Sequence, residues 1–486
     1  MPEAFKAFLR REMEVYAGYL EYTDHHVGRL LEGLKKVEAF DDTLVFYIIG
    51  DNGASAEGGV NGCFNEMSYF NGLQDLETPE YLMDRIDKLG GTESYNHFAV
   101  GWAHALDTPY QWTKQVASHF GGTRNGTIVS WPKGIRAKGE VRSQFHHVID
   151  VAPTVLEAAG IPEPLSVNGI AQDPIEGVSM RYSFDDAKAA ERHETQYFEM
   201  FGNRGIYHKG WTAVTKHRTP WGPNEKPPAF DDDAWELYDT TKDWSQAEDL
   251  ATEMPQKLHE LQRLWLIEAT RYKVLPLDDR TLEKMSPDTA GRPVLIKGKT
   301  QLLFGGMGHL SENCVLNIKN KSHSVTAEIV VPKEGAEGVI IAQGANIGGW
   351  SLYAKAGKLK YCYNWGSFEL YFVESASRIP AGEHQVRMEF LYAGGGMGKG
   401  GKATLFIDGQ KVGAGEIGHT LAFVYSADDG CDVGEDGGAP VSPDYKAGDN
   451  RFNGVVKGVQ LSIEEEDNPE HQIKPEDAIL VALARQ

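Results

Sequence analysis

The chain has 486 residues, room for two or three domains at about 150 residues each, which excludes a peptide hormone or a disulfide-stapled miniprotein. Its 48 Lys+Arg against 70 Asp+Glu leave a net charge of −22, so DNA and anionic membranes are repelled and an anionic ligand needs local positive charge. Hydrophobic residues at 41% and aromatics at 10% exceed what a disordered chain carries.

Cys63, Cys314, Cys362 and Cys431 are far apart and form no C-x-x-C pair, so buried, reduced thiols are expected rather than a zinc knuckle or a disulfide framework. No apolar run approaches the roughly 20 residues that span a bilayer, and the N-terminal MPEAFKAFLRREMEVYAGY is charged and helical rather than signal-like. The expectation is a cytoplasmic protein with neither nucleic-acid nor membrane partners. A longer N-terminus carrying a signal peptide would place it in the periplasm.

From Glu12 to Lys36, apolar residues at Met13, Tyr16, Leu20, Val27, Leu31 and Leu34 recur at a helical spacing. This long amphipathic helix opens the chain with no preceding strand to pack on. The run Thr43 to Ile49 is continuously apolar, as expected of a strand covered on both faces of a parallel sheet. It stops at Gly50-Asp51-Asn52-Gly53, where open α/β sheets place their ligands, which makes Asp51 and Asn52 the first candidate site residues. Residues 54 to 125 read as a long Gly-, Asn- and Ser-rich excursion. A second buried strand follows at Thr127 to Trp131, then a helix from Asp150, an N-cap residue, to Gly160, a C-terminal stop. Tyr197 to Trp211 and Trp235 to Asp239 read as strands of a smaller sheet, and 254 to 272 as a helix.

From about residue 290 the period becomes two: Val325/Ala327/Ile329, Val386/Met388/Phe390 and Ala403/Leu405/Ile407 alternate with polar residues. Asp408-Gly409 is a hairpin signal. Several such strands over some 170 residues predict a β-sandwich. Gly396 to Ala403 mimics a phosphate loop, but Ala403 replaces the Ser or Thr and a strand follows, so it reads as a hairpin loop. The acidic stretch Asp428 to Asp436 lacks EF-hand spacing and reads as a solvated loop. The tail after Glu464 is charged, with a short apolar end at Ile479 to Leu483.

Asp51 and Asn52 offer hard oxygen ligands suited to Ca²⁺ or Mg²⁺, yet two ligands alone do not complete such a site. The run TLVFYIIGDNGASAEGG, preceded by EYTDHHVGRLLEGL and followed by WTKQVASHFGGTRNGTIVSWPKGI, FHHVIDVAPTVLEAAGI and WELYDTTKDWSQAEDLA, resembles the type I sulfatases of the alkaline phosphatase superfamily. GRPVLIKGKTQLLFGGMGHLSENCVLNIKNKSHSVTAEIVVP and DNRFNGVVKGVQLSI are similar to the β-domain appended to long bacterial arylsulfatases. The resemblance implies sulfate-ester hydrolysis by a formylglycine nucleophile, made from Cys or Ser, beside a divalent cation, usually Ca²⁺. It matches Asp51 and Asn52 to metal ligands and Lys114 to the lysine that reaches the sulfate. The block that reads E-G-G-I-R in relatives is here His119-Phe120-Gly121-Gly122-Thr123-Arg124, one residue longer. His97, His104 and His119 share this region as candidate acids or bases, and none is assigned a role.

The Cys/Ser-x-Pro-x-Arg motif that supplies the nucleophile does not occur in these 486 residues. Cys63 lies in Asn-Gly-Cys-Phe-Asn, and Ser130-Trp-Pro-Lys-Gly134 ends in Gly. The expectation is therefore the C-terminal portion of a sulfatase, with no catalytic residue of its own and inactive alone, and with a separate N-terminal fragment as one candidate partner. The expected fold is α/β: a partial alkaline-phosphatase-like mixed sheet with helices at 1–165, a small antiparallel sheet and helix at 166–289, an all-β sandwich at 290–465 and a charged tail at 466–486. Expected substrates are small sulfate esters or sulfated glycans. Two alternatives stay open. One is a non-catalytic carbohydrate- or protein-binding remnant using Tyr353, Tyr361, Tyr363, Trp365 and Tyr371. The other is a phosphatase or phosphonate hydrolase of the same superfamily.

Overall fold

Helix α1 runs from Phe5 to Lys36 and buries Phe5, Phe8 and Glu12 in its first turns, while Tyr19, Leu20, Tyr22 and Leu30 stay exposed. Lys35 and Lys36 in its last turn face the negative end of the helix dipole. The computed structural model describes residues 5–222, 226–280, 284, 290–291 and 293–463. The tail at 466–486, with its apolar end, lies outside the described residues.

Strand β1 (Val45–Ile49) pairs antiparallel with β2 (Gly126–Ser130), Tyr47 opposite Ile128. Ile48, Ile49 and Ile128 are exposed. This corrects the expectation of strands buried within a parallel sheet. A continuous apolar run reports side chains suited to burial on both faces, but among the described residues β1 has β2 as its sole neighbour. The segment between them is ordered rather than irregular, with short helices α2 (Glu66–Phe70), α3 (Pro79–Met83), α4 (Val100–Asp107) and α5 (Phe120–Thr123). Asn65 caps α2 by accepting from Met67 N, and Thr78 caps α3 by accepting from Tyr81 N, as short polar side chains do at helix starts.

Helix α6 (Val151–Ala159) ends at Gly160, whose φ of 67° suits a left-handed stop. Asp150 precedes it, yet its carboxylate makes no bond to the α6 N-terminus. It accepts instead from His147 N at 2.9 Å and Val178 N at 2.7 Å, so the expected cap is replaced by a clamp that joins the preceding turn to the segment at Val178. A small hairpin, β3 (Ser166–Val167) and β4 (Ile170–Ala171), follows. An antiparallel sheet then runs in the order β5 (Thr195–Met200), β6 (Asn203–His208), β7 (Trp211–Thr215), β8 (Glu236–Asp239). Helix α7 (Pro255–Arg271) covers it, burying Leu261, Trp265 and Ala269 with Ile206, Ala213 and Leu237.

The C-terminal part is all β. Its strands are β9 (Thr300–Phe304), β10 (His323–Val331), β11 (Gly338–Ala345), β12 (Gly348–Lys355), β13 (Lys358–Trp365), β14 (Glu369–Arg378), β15 (Gly382–Tyr392), β16 (Lys399–Ile407), β17 (Gln410–His419), β18 (Cys431–Val433) and β19 (Val455–Ile463). One sheet has the order β17-β16-β15-β10-β19-β9 and the other β14-β13-β12-β11-β18. The alternating residues Val325, Ala327, Ile329, Val386, Met388 and Leu405 share one core with Trp350, Leu352, Leu359 and Tyr361 of the facing sheet, the packing of a sandwich. Asp408 and Gly409, with φ of 48° and 77°, close the β16–β17 hairpin, the paired positive angles of the turn that an Asp-Gly dipeptide favours.

Two readings of this region are corrected. Tyr353, Tyr361 and Tyr363 are core residues, exposed by 0%, 1% and 4%, because the outer face of the five-stranded sheet is roofed by Val441 and Tyr445 and the inner face meets the other sheet. They supply no binding surface. Nor is the acidic loop simply solvated. Asp432 accepts from His309 N at 2.5 Å and Gly437 N at 3.0 Å, and Asp436 accepts from Val441 N at 2.9 Å and Tyr445 Oη at 2.7 Å. Burial pushes the Asp436 carboxyl up to about 6.

The described residues group into two compact units, one drawn from within Met1–Glu12, Gly62–His97 and Arg280–Gln486, the other from within Met13–Asn61 and Phe98–Asp279. In the first unit, segment 62–97 packs on the sandwich through Met67, Ala345 and Ile347, with Phe70, Tyr95 and Val424 alongside. Asn65 Nδ2 donates to Ile347 O and Gly366 O at 3.0 and 3.1 Å. Asn71 Nδ2 donates to Val424 O at 2.9 Å, and its Oδ1 accepts from Phe423 N at 3.0 Å.

Candidate active-site loop

The second unit holds the Asp51, Asn52 and Lys114 region. Asp51 is exposed and Asn52 half-buried on the turn that leaves β1. The backbone behind them has no room to move: Gly53 N donates to Gly122 O at 3.2 Å, and a Cβ at Gly53 would fall 1.6 Å from Gly121 O. Gly121 is as tightly placed, since a Cβ there would lie 2.2 Å from Gln111 O. These contacts require glycine and bind the turn after β1 to the Gly121-Gly122 pair. With its amide oriented by its hydrogen-bond partners, Asn125 donates to Asn52 O at 2.8 Å and accepts from Asn52 N at 3.0 Å.

Lys114 joins the same loop cluster. Its N–H donates to Ala54 O at 3.0 Å, two residues beyond Asn52, and its ammonium donates to Glu57 Oε2 at 2.8 Å. Glu57 also accepts from Ser55 Oγ and Gln115 Nε2, each at 2.7 Å. The Glu57 side chain is 8% exposed and that of Lys114 32%. Burial alone would raise the Glu57 carboxyl, but the Lys114 charge and the bonds from Lys114, Ser55 and Gln115 outweigh it and hold the group below its ordinary value. Glu57 is therefore ionised at neutral pH.

The backbone around Lys114 stores strain. Trp112 and Gln115 have φ of 67° and 73°, left-handed angles that cost non-glycine residues of order 1 kcal/mol or more each. Surrounding groups hold them there. Asn203 Nδ2, at the start of β6, donates to Gln115 O at 2.9 Å, and the Trp112 ring stacks on Trp221 with centroids 6.2 Å apart. Beneath the turn, Asp107 Oδ1 accepts from Ala54 N at 2.8 Å, and burial pushes this carboxyl up to about 6.

Of the three histidines, His104 and His119 belong to the second unit. His119 is fully buried, its Nδ1 at 2.8 Å from Ser118 Oγ and its Nε2 at 3.1 Å from Glu236 Oε2. It ties the segment after Lys114 to β8, beside Gln246, whose Oε1 accepts from Phe120 N at 2.8 Å. His104 is exposed. His97 belongs to the first unit, where its backbone pairs with Cys63. Burial, reinforced by Glu77, Glu66 and Glu12, pushes the Cys63 thiol well up, the environment of an inert thiol rather than a nucleophile.

Sequence reasoning named Asp51, Asn52 and Lys114 as candidates, and the structure ties Lys114 N to Ala54 O, two residues beyond Asn52. It missed Glu57, although this is the lone carboxylate of the Ala54 to Gly59 run, and it missed Asp107 and Asn203, which lie outside any motif and act through the backbone.

Comparison with known proteins then shows what the chain resembles. Residues 1–161 match the Sulfatase family model. This segment is similar to the sulfatases. An uncharacterised sulfatase of Schizosaccharomyces pombe is 30% identical over 285 residues, 58% of this chain and 47% of that protein. An arylsulfatase of Klebsiella aerogenes is 30% identical over 182 residues, 37% of this chain and 36% of that protein. The chain thus spans less than half the length of these sulfatase relatives. A Bacteroides thetaiotaomicron structure described under the metabolism of multiple glycosaminoglycans aligns over 51% of this chain and 43% of that one, at 17% identity and a TM-score of 0.33. No described helix is long and apolar enough to cross a membrane.

Proposed function

We propose that this chain supplies the cation-binding turn and the sulfate-binding lysine of a sulfate-ester hydrolase. The observation that carries this reading is the locking of Lys114 to Ala54, two residues beyond Asn52, with an ammonium that is charge-paired yet one-third exposed. An ammonium has three donors, and Glu57 takes one, so two are left for an anion.

Asp51 and Asn52 present a carboxylate and an amide on a backbone that glycine packing and Asn125 hold rigid. These hard oxygens fit Ca²⁺ or Mg²⁺ as two of the six or so ligands such an ion takes. A bound ion would polarise a sulfate oxygen and neutralise developing charge. Lys114 orients the tetrahedral anion as a point charge. The family resemblance assigns the bond-breaking step to a formylglycine that the Cys/Ser-x-Pro-x-Arg motif would generate. Without that motif in the 486 residues, we expect no turnover by this chain on its own.

Calorimetric titration of inorganic sulfate in the presence of Ca²⁺ tests the reading. Saturable binding should weaken roughly tenfold in Lys114→Met, the loss of about 1.4 kcal/mol. Equal affinity in the variant would remove Lys114 from the site. Release of nitrophenol from nitrophenyl sulfate by the purified chain would overturn the expectation that it is inactive alone.

A further inference from the structure

We propose that Glu57 is the positioning residue of Lys114: a buried carboxylate, itself fixed by Ser55 and Gln115, that holds the lysine ammonium in one place and leaves its outward N–H groups to an oxyanion. The inference rests on the reading that Lys114 meets the sulfate, and adds how the lysine is made ready for it.

The geometry is that of a clamp. Each Glu57 oxygen is occupied, Oε2 by Lys114 Nζ at 2.8 Å and Ser55 Oγ at 2.7 Å, Oε1 by Gln115 Nε2 at 2.7 Å. At 8% exposure the carboxylate is turned into the protein, so it orients the lysine from behind rather than competing for the incoming anion. A lysine side chain has four freely rotating carbons and loses much rotamer freedom when an anion captures it. Pairing with a fixed carboxylate removes that freedom before the ligand arrives. Gln115 acts twice, since its side chain holds Glu57 while its own strained backbone is held by Asn203 Nδ2 at 2.9 Å. The lysine, its counter-ion and the turn carrying Asp51 and Asn52 therefore form one preorganised loop cluster. The sequence hides this, because Glu57 and Lys114 lie 57 positions apart.

The test follows the Lys114 signal by NMR on the full chain with ¹³C-methylated lysines, assigned by its loss in Lys114→Arg, while inorganic sulfate is added. In the wild type the signal should shift saturably. Glu57→Gln should move the Lys114 signal before any sulfate is present and weaken the sulfate response roughly tenfold, with the other lysine signals unchanged as evidence of folding. The double variant Ser55→Ala/Gln115→Leu keeps the ion pair but frees the carboxylate, and should weaken the response by a smaller factor. Sulfate affinity in Glu57→Gln equal to or above wild type would overturn the positioning role and make Glu57 a competing counter-ion. Absence of a sulfate response at Lys114 in the wild type would instead overturn the anion-site reading on which the proposal rests.

Discussion

At the scale of single residues, the loop depends on absent side chains as much as on present ones. Gly53 touches Gly121 so closely that a methyl group would sit 1.6 Å from its carbonyl oxygen. Gly53→Ala should lower the unfolding free energy by about 3 kcal/mol or more, measurable as a shift in urea midpoint at constant slope. Asp150 makes the opposite kind of contribution. Burial would raise its carboxyl, but His146, His193 and the backbone N–H groups of Val178 and His147 hold it well below the usual range. Its partner His193, 2.8 Å away, is shifted up, the pull of Asp150 outweighing burial. A depressed carboxylate stabilises above its unfolded value of 3.8, and a raised imidazole stabilises below its unfolded value of 6.5. The pair should therefore contribute most between those limits. Asp150→Asn should cost about 3 kcal/mol at pH 5.5, and the difference from wild type should shrink toward pH 3. A constant difference across that range would contradict the assignment.

At the scale of elements, the period-two run in the last third was legible because a sandwich strand shows one face to core and one outward, as Val325, Ala327 and Ile329 do. The Asp408-Gly409 hairpin was legible because its dipeptide dictates the turn. Two things could not be read. The aromatic residues of β12 and β13 alternate correctly, but sequence does not say that a distant loop carrying Val441 and Tyr445 covers their outer face. The apolar run of β1 announces burial, whereas the number of its neighbours is a property of topology. Segment 62–97 teaches the same lesson: nothing in its composition reveals that Asn65 and Asn71 stitch it to β-sandwich carbonyls. Glu77 anchors that segment by accepting from Phe64 N at 2.6 Å and Asn65 N at 3.0 Å, and burial pushes its carboxyl up to about 7 despite those bonds. A carboxyl raised in the folded state favours folding below its unfolded value of 4.5 and loses that advantage as pH rises through about 7. Thermal midpoints should fall between pH 5 and 8, and Glu77→Gln should flatten that slope.

At the scale of the whole molecule, the family, the α/β character and the β-sandwich followed from motif order and periodicity, while the way 62–97 joins the sandwich unit did not, because long-range packing leaves no local signature. The segment that matches the Sulfatase family model carries Asp51, Asn52 and Lys114, the residues proposed above to hold a cation and an anion. The most direct test is crystallographic. Crystals grown with Ca²⁺ and inorganic sulfate should show an ion at about 2.3 to 2.6 Å from oxygens of Asp51 and Asn52, with a sulfate oxygen in hydrogen-bond reach of Lys114 Nζ. A cation bound elsewhere, or sulfate confined to other lysines while Lys114 stays on Glu57, would contradict the account.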